Sequence, residues 1–120
     1  MTTFDRADID GLLPLPPAVL HILIALGDGE KHGYAVMQEV ADRTGGKVRM
    51  SPGTLYGSIR KMLDDGLIEE FFHRGARQDD DRRRYYRVTK FGRAVAAAEA
   101  DRLAALLHHA RLTGLVPRKS

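Results

Sequence analysis

The chain has 120 residues and no cysteine, which excludes disulfides, cysteine-based zinc sites and thiol redox sensing. With 43% hydrophobic and 29% charged residues, its composition is typical of one globular domain, and no stretch is long and apolar enough to span a bilayer. No basic region followed by an apolar signal core is present at the N-terminus, so we expect a cytoplasmic protein.

Residues 1–16 are predicted to form an N-terminal arm rather than a helix, because Gly11, Pro14 and Pro16 interrupt them. A first helix is predicted from about Pro17 to Leu26. It is apolar nearly all round, so it should be buried on more than one side.

A second helix is predicted from about Gly33 to Thr44 after a glycine-rich loop. Its inward stripe is expected to be Tyr34, Met37, Val40 and Ala41. His32 and Tyr34, at the opening of this helix, are candidates for contacts with a nucleic-acid backbone. For Tyr34 the favoured interpretation is packing.

A third helix is predicted from Pro52 to Asp65. Ser51 can cap it, Pro52 suits its first position, and Gly66 is placed to end it. Four apolar residues at helical spacing would face a core: Leu55, Ile59, Met62 and Leu63. The outer face then carries Thr54, Gly57, Ser58, Arg60 and Lys61, with Tyr56 at its edge. Such small, hydroxylic and cationic residues can approach bases and pair with phosphates. The alternative, from this helix alone, is an ordinary solvated helix face that carries two cations.

Two strands joined by an arginine-rich turn are predicted next, in LIEEFFHR and RRRYYRVT. Eight basic residues lie from Arg74 to Arg93, against the three aspartates Asp79, Asp80 and Asp81. Each phosphate neutralised by such a cation releases counterions, so this concentration favours nucleic-acid binding. The alternative is a solvated hairpin with internal pairs between arginine and aspartate. Arg74, Arg82 and Arg83 are better candidates for phosphate than Arg84 or Arg87.

A last helix is predicted from about Lys90 to Leu112, capped by Thr89. At about 1.5 Å per residue it is roughly 34 Å long, more than a small domain needs to cover its own core. We therefore expect an interface with a second copy of the chain, the alternative being a terminal helix that lies on its own domain. The predicted interface residues are Val95, Ala98, Leu103, Leu106, Leu107 and Ala110. Residues 113–120 are expected to form a flexible tail.

Three blocks of sequence together resemble the PadR family of bacterial transcriptional regulators: HGYAVMQEV from His32, SPGTLYGSIRKMLDDGLIE from Ser51, and RRRYYRVTKFGR from Arg82. The resemblance implies a mainly α fold with a β-hairpin, in which a winged helix-turn-helix over residues 17–89 is followed by a dimerisation helix over residues 90–112. The recognition helix would be Pro52 to Asp65 and the wing Arg74 to Arg83. With only one C-terminal helix, the chain is similar to the smaller branch of the family.

The resemblance also implies a repressor that acts on operator DNA and, in some members, is released by a small aromatic molecule bound near the dimer interface. The candidate DNA-binding residues are Ser51, Thr54, Tyr56, Gly57, Arg60, Lys61, Arg74, Arg77, Arg82 and Arg83. A homodimer would place two recognition helices about one helical turn apart on a palindromic site. The competing hypothesis is a winged helix that binds proteins, or nucleic acid without sequence preference. An enzyme is disfavoured because the chain has no glycine-rich phosphate loop and no nucleophile motif, and we expect neither cofactor nor metal.

Overall fold

The computed structural model describes residues 4–72 and 84–118. Its helices and strands follow the order α1, α2, β1, α3, α4, β2, β3, α5. Their bounds are α1 Arg6–Asp10, α2 Pro17–Ala25, β1 Lys31–His32, α3 Gly33–Arg43, α4 Pro52–Asp64, β2 Ile68–Phe71, β3 Tyr85–Val88 and α5 Lys90–Leu112. The fold is mainly helical with a small antiparallel sheet, as the sequence predicts.

The sheet has the strand order β1-β3-β2, so β3 is its central strand. Strands β2 and β3 form the predicted hairpin, with Ile68 opposite Val88 and Phe71 opposite Tyr85. Strand β1 was not predicted, since the sequence indicates a glycine-rich loop in this segment. Its two residues carry no recognisable pattern, and they become a strand only because Lys31 and His32 pair with Tyr86 and Tyr85. The predicted turn of the hairpin lies outside the described residues.

The core is formed around α2, whose residues Val19, Ile22, Leu23 and Ala25 are buried. Its apolar character on nearly all sides predicted this position, and only Ile24 on this helix is an exposed large hydrophobic residue, at 50%. Helices α3 and α4 pack on α2, and α5 packs on it from another side. The core is therefore one continuous cluster beneath the helix-turn-helix and the sheet.

The inward face of α3 differs from the predicted stripe. Val36 and Val40 are fully buried, and Gly33 is buried as well, whereas Tyr34 is 64% exposed. The prediction that Tyr34 packs inward was wrong. Because Tyr34 and Val36 are two positions apart on the helix, roughly 200° of rotation separates them, and burial of Val36 turns Tyr34 outward.

The recognition helix predicted from Pro52 to Asp65 is α4. Leu55, Ile59 and Met62 are buried and Leu63 is half-buried, as its spacing predicted. Gly66 adopts a φ of +77° directly after Asp65, the C-cap residue of α4. The amide of Leu67 then donates a hydrogen bond to the Met62 carbonyl. A positive φ is readily adopted only by glycine, so this residue ends the helix as expected.

The N-terminal segment contains a short helix where an arm without helix was predicted, and that prediction was wrong. Helix α1 begins because the Asp5 carboxylate accepts a hydrogen bond of 2.9 Å from the amide of Ala7. The prolines that argued against a helix begin only at Pro14, after α1 has ended. Phe4 makes an edge contact with the ring of Phe91, with centroids 5.3 Å apart, so the segment lies along the start of α5.

A buried carboxylate fastens the end of this segment to α5. Glu99 is only 1% exposed, and its side chain accepts a 2.9 Å hydrogen bond from the amide of Leu15. It also accepts hydrogen bonds of 2.5 and 3.1 Å from the Arg102 guanidinium. These bonds from Arg102 hold the pKa of Glu99 below its ordinary value of 4.5, although burial opposes the shift. Glu99 therefore joins two segments that are 84 residues apart in sequence.

The start of α5 is joined to the base of the hairpin through Thr89. Its hydroxyl accepts a 2.9 Å hydrogen bond from the amide of Gly92, which caps the helix as predicted, and donates a 2.6 Å hydrogen bond to the Gly66 carbonyl. A Cβ atom at Gly92 would lie 2.0 Å from the Leu67 carbonyl oxygen. Only glycine allows α5 to approach the end of α4 this closely.

We expect Glu99→Ala to lower the free energy of unfolding by about 2 kcal/mol at neutral pH, because the amide of Leu15 loses its buried acceptor. The pKa of Glu99 is lowered in the folded chain, so its contribution is present above the unfolded pKa near 4.5 and is lost as the pH falls through the folded value. Urea unfolding of both proteins between pH 3 and 7 measures this difference.

Asp101→Ala is the matched control, since it removes an exposed carboxylate from the same helix. We expect it to change stability by less than about 0.5 kcal/mol. If both variants lose the same stability at every pH, the hydrogen bond from Leu15 to Glu99 does not fasten the N-terminal segment.

Candidate nucleic-acid interface

The opening of α4 is organised by Ser51. Its hydroxyl oxygen accepts a 3.1 Å hydrogen bond from the Thr54 amide, and the hydroxyl donates one of 3.1 Å to the Thr54 side chain. Pro52 occupies the first turn, where its missing amide proton costs no hydrogen bond. The predicted cap is therefore present, and it leaves an exposed helix N-terminus made of small residues.

The outer face of α4 carries the side chains that the sequence assigned to it. Thr54, Gly57, Arg60 and Lys61 are exposed, and Tyr56 is 47% exposed at the edge of this face. Ser58, which the sequence also placed there, is half-buried. The face is therefore hydroxylic and cationic, and the buried apolar residues of α4 point away from it.

The two cations of this face differ in their partners. The Lys61 ammonium lies 3.3 Å from the Asp65 carboxylate, one turn further along α4. Within residues 4–72 and 84–118, Arg60 makes no ion pair. Its guanidinium is thus the better placed of the two to bind an external acceptor.

The opening of α3 adds an exposed phenol near this face. The His32 ring accepts a 3.2 Å hydrogen bond from the amide of Ala35 through Nδ1, which caps α3. Tyr34 directly follows Gly33, and a Cβ atom added at Gly33 would touch the ring of Tyr56 on α4. Of the two candidates for backbone contacts, His32 is half-buried as a helix cap and Tyr34 is exposed.

The turn between α3 and α4 presents two further cations. Gly45 and Gly46 adopt φ of +64 and +80, so the chain reverses there, and Lys47 and Arg49 are exposed just beyond. Both lie between the two helices of the helix-turn-helix. They extend its basic surface, although nothing in the packing distinguishes them from ordinary loop cations.

The strands of the hairpin hold their arginines in ion pairs. Arg84 lies 3.1 Å from Glu70, and Arg87 lies 2.6 Å from Glu69 on the neighbouring strand. The Arg87 guanidinium also lies over the Phe71 ring, 4.7 Å from its centroid. The partners seen within the described residues are thus glutamates of β2, and the aspartates of the predicted turn lie outside them. Arg74, Arg77, Arg82 and Arg83 lie outside the described residues.

The residues predicted for a dimer interface fall into two groups. Leu103, Leu106 and Leu107 are 40%, 55% and 43% exposed on the second half of α5. Ala98 and Ala110 are half-buried. Val95 is fully buried in the core of its own chain, so it is unavailable to a second copy and is removed from the predicted interface.

A groove of about 580 Å³ runs between α1 and α5. Its floor is formed by Ile9, Leu13 and the alanines of α5, and Arg6 and Arg102 stand at its sides. Among the described residues there is no cluster of three or more acidic, histidine or cysteine side chains able to hold a metal ion. No helix in the same described ranges is long and apolar enough to cross a membrane.

Two helices joined by a glycine turn, followed by an antiparallel hairpin, define a winged helix-turn-helix protein. The sequence profile described as "Transcriptional regulator PadR-like family" matches residues 19–98, which is two thirds of the chain. The chain belongs to this family, whose members are transcriptional regulators and not enzymes.

A curated relative is the "Transcriptional regulator Rv3488" of Mycobacterium tuberculosis, which is 43% identical over 77 residues, covering 63% of this chain and 65% of that protein. The chain spans less than two thirds of the lengths of the curated relatives it matches.

Solved structures share the fold at lower identity. A PadR family transcription regulator from Clostridium difficile has a TM-score of 0.71 at 18% identity, covering 82% of this chain and 98% of that one. Bacillus subtilis PadR, in a structure with operator DNA, has a TM-score of 0.60 at 21% identity, covering 75% of this chain and 48% of that one.

Proposed function

We propose that this chain is a sequence-specific DNA-binding repressor that acts in the cytoplasm as a homodimer on a palindromic operator. One observation carries the proposal: α4, capped by Ser51, turns a face of Thr54, Gly57, Arg60 and Lys61 to solvent beside an antiparallel hairpin. The structure of Bacillus subtilis PadR with operator DNA supports it, since that protein has the same fold.

The shape of this face suits the major groove. Gly57 has no side chain and no neighbouring atom within 4 Å of the position a Cβ would take, so a base edge can approach the helix there. Arg60 lies one turn along from Tyr56 and is unpaired among the described residues, which favours a bidentate contact with guanine. Lys61, already beside Asp65, suits a phosphate as a point charge.

The hairpin would act as the wing. Arg74, Arg77, Arg82 and Arg83 are proposed to bind flanking phosphates, which yields affinity without base preference. Arg84 and Arg87 have a different role, because each is paired with a glutamate on the opposite strand. These pairs hold the two strands in register and keep two arginines of the basic run away from DNA.

A second copy of the chain is proposed to cover the end of α5. The α5 residues that pack on the core all precede residue 100, and Leu103, Leu106 and Leu107 follow this covered part with their side chains exposed. The radius of gyration is 16.4 Å, compared with about 14 Å for a compact domain of this length. The free half of α5 therefore projects from the body and presents leucines that another helix can bury.

The groove between α1 and α5 suits the same assembly. Its alanine floor allows close approach, and a two-fold axis would bring the leucines of one copy toward the groove of the other. A small aromatic effector is proposed to bind in what remains of this space, since 580 Å³ lies within the range of small-molecule sites, about 300 to 1,000 Å³. Such a ligand would release DNA by changing how the two copies pack.

The proposal is tested by titrating the protein with the DNA upstream of its own coding region and with random DNA of equal length, at near-physiological salt. We expect a preference of about a thousandfold for the upstream DNA. If both bind equally, selection from a random DNA pool follows, and failure to enrich any sequence would identify a non-specific or protein-binding winged helix.

Arg60→Ala is expected to reduce discrimination at one position of each operator half-site by about 1 to 3 kcal/mol. Arg60→Lys is the matched variant, because it keeps the charge and loses the planar pair of donors. Binding to operators altered at single positions measures both. Should Arg60→Lys behave like the unaltered protein while Arg60→Ala weakens binding to all sequences, Arg60 contacts phosphate instead.

Leu106→Glu is expected to give a monomer with much weaker operator binding, because it places a charge in the apolar interface. Ala105→Glu is the control, since at about 100° per residue it lies about 100° or more around α5 from the exposed leucines Leu103, Leu106 and Leu107. Sedimentation at micromolar protein distinguishes them. A dimer that persists in Leu106→Glu would place the interface on another surface.

A further inference from the structure

Gly33, the first residue of α3, lies beneath an aromatic ring from α4. A Cβ added at Gly33 would lie 2.6 Å from the Tyr56 hydroxyl oxygen and 3.0 and 3.1 Å from the Cζ and Cε1 atoms of its ring. Contacts under 3.0 Å are essentially never made by real Cβ atoms. Gly33 does not have a positive φ, so the backbone conformation does not require glycine there. The atoms that a Cβ would meet are the far end of the Tyr56 side chain, so an added methyl group requires this ring to shift.

Gly33 is also the point where the sheet passes directly into α3. Strand β1 ends at His32, which pairs with Tyr85 of the central strand, and the rings of these two residues meet edge to face with centroids 5.6 Å apart. His32 in turn caps α3 by accepting from the Ala35 amide. A displacement at Gly33 would therefore move α3 and, through the pairing of His32 with Tyr85, strand β3 of the hairpin.

The Tyr56 phenol lies near the sheet as well as α3. Tyr86 of β3 is 3% exposed, and its pKa is raised chiefly by burial and further by the neighbouring Glu70 and Tyr56. Glu70 stands opposite Tyr86 in the hairpin and pairs with Arg84. Tyr56 thus contacts the opening of α3 and lies close enough to Tyr86 of the central strand to affect its pKa.

We propose that Tyr56 is a positioning residue. Its ring fills the space that a side chain at Gly33 would take, here called the notch, and thereby sets the orientation of α4 relative to α3 and the wing. This inference rests on the proposed function and deepens it, because base recognition by Thr54 and Arg60 depends on how α4 enters the groove. It gives Tyr56 a role separate from the DNA contact that the sequence suggested. Because the ring lies at the rim of the notch, Tyr56 remains about half exposed.

The packing around Gly33 predicts how a larger residue there would affect DNA binding. A methyl group at Gly33 would have to push the Tyr56 ring outward, toward the surface that carries the predicted base contacts, or tilt α4 as a whole. An outward ring would intrude on this surface and a tilted α4 would displace it, while the buried residues Leu55, Ile59 and Met62 remain available to hold the helix on the core. Folded protein with impaired discrimination is the expected result.

The test is a double-mutant cycle of Gly33→Ala and Tyr56→Ala. Melting temperature and the ratio of operator affinity to random-DNA affinity are measured for the four proteins, with binding at a temperature where all are folded. In the presence of Tyr56, we expect Gly33→Ala to lower the melting temperature by about 5 °C and the affinity ratio by about tenfold. In the Tyr56→Ala background, Gly33→Ala should change neither quantity, because the atoms it would meet are gone.

Two further variants serve as controls. Gly27→Ala adds the same methyl group after the end of α2, outside the proposed DNA-binding face, where the nearest atom is the Ile24 carbonyl oxygen at 3.2 Å, and should leave the affinity ratio unchanged. Tyr56→Phe keeps the ring in the notch and should retain most of the affinity ratio. A loss in Tyr56→Phe as large as in Tyr56→Ala would show that the hydroxyl bonds DNA, and would overturn the positioning role.

Other outcomes are equally decisive. If Gly33→Ala has the same effect with and without Tyr56, the two residues are not coupled and the inference is wrong. If the melting temperature falls while the affinity ratio is unchanged, the contact only stabilises the fold, which also overturns the inference. A ratio near one for the unaltered protein would overturn the proposed function itself, whereas a discriminating parent with an unaffected Gly33→Ala overturns the positioning role alone.

Discussion

The close approach of α5 to the end of α4 is the constraint on which the rest of this structure depends. Gly92 brings the α5 backbone against the Leu67 carbonyl, and the Thr89 hydroxyl bonds the Gly66 carbonyl and the Gly92 amide at the same point. Helix α4 with its proposed recognition face, both strands of the hairpin and the long terminal helix all meet here. A shift at this junction would move the wing, α4 and α5 together.

The same junction would connect the proposed DNA-binding surface of this small chain to the proposed dimer surface. One end of α5 is held by Thr89 at the base of the hairpin, and its middle is joined through Glu99 to the N-terminal segment. Beyond Glu99, Leu103, Leu106 and Leu107 are exposed in the described part of the chain. Because a helix is stiff along its axis, the position of the free leucines is determined by the contacts at its start. The spacing of two recognition helices in a dimer would follow from this single rigid connection.

Much of the site could be predicted because it depends on local rules. Ser51 caps α4 through an amide three residues away, Gly66 ends it with a positive φ, and the spacing of Leu55, Ile59 and Met62 determines which face is buried. Thr89 and the bounds of α5 were predictable for the same reason. The phase of α3 was not, because several apolar residues lie close together there, and only packing against α2 and α4 selects Val36 over Tyr34 for burial.

The sequence by itself therefore determined the order of the elements, their caps, and the hydroxylic and cationic face of α4, since each depends on residues within one or two helical turns. The tertiary structure alone decided four further features. These are the pairing of Lys31 and His32 with β3, the hydrogen bond from Leu15 to Glu99, the burial of Val95, and the close contact of Tyr56 with Gly33. These features join residues that are distant along the chain. No local pattern encodes them, because each arises from the shape that remains when the helices have packed.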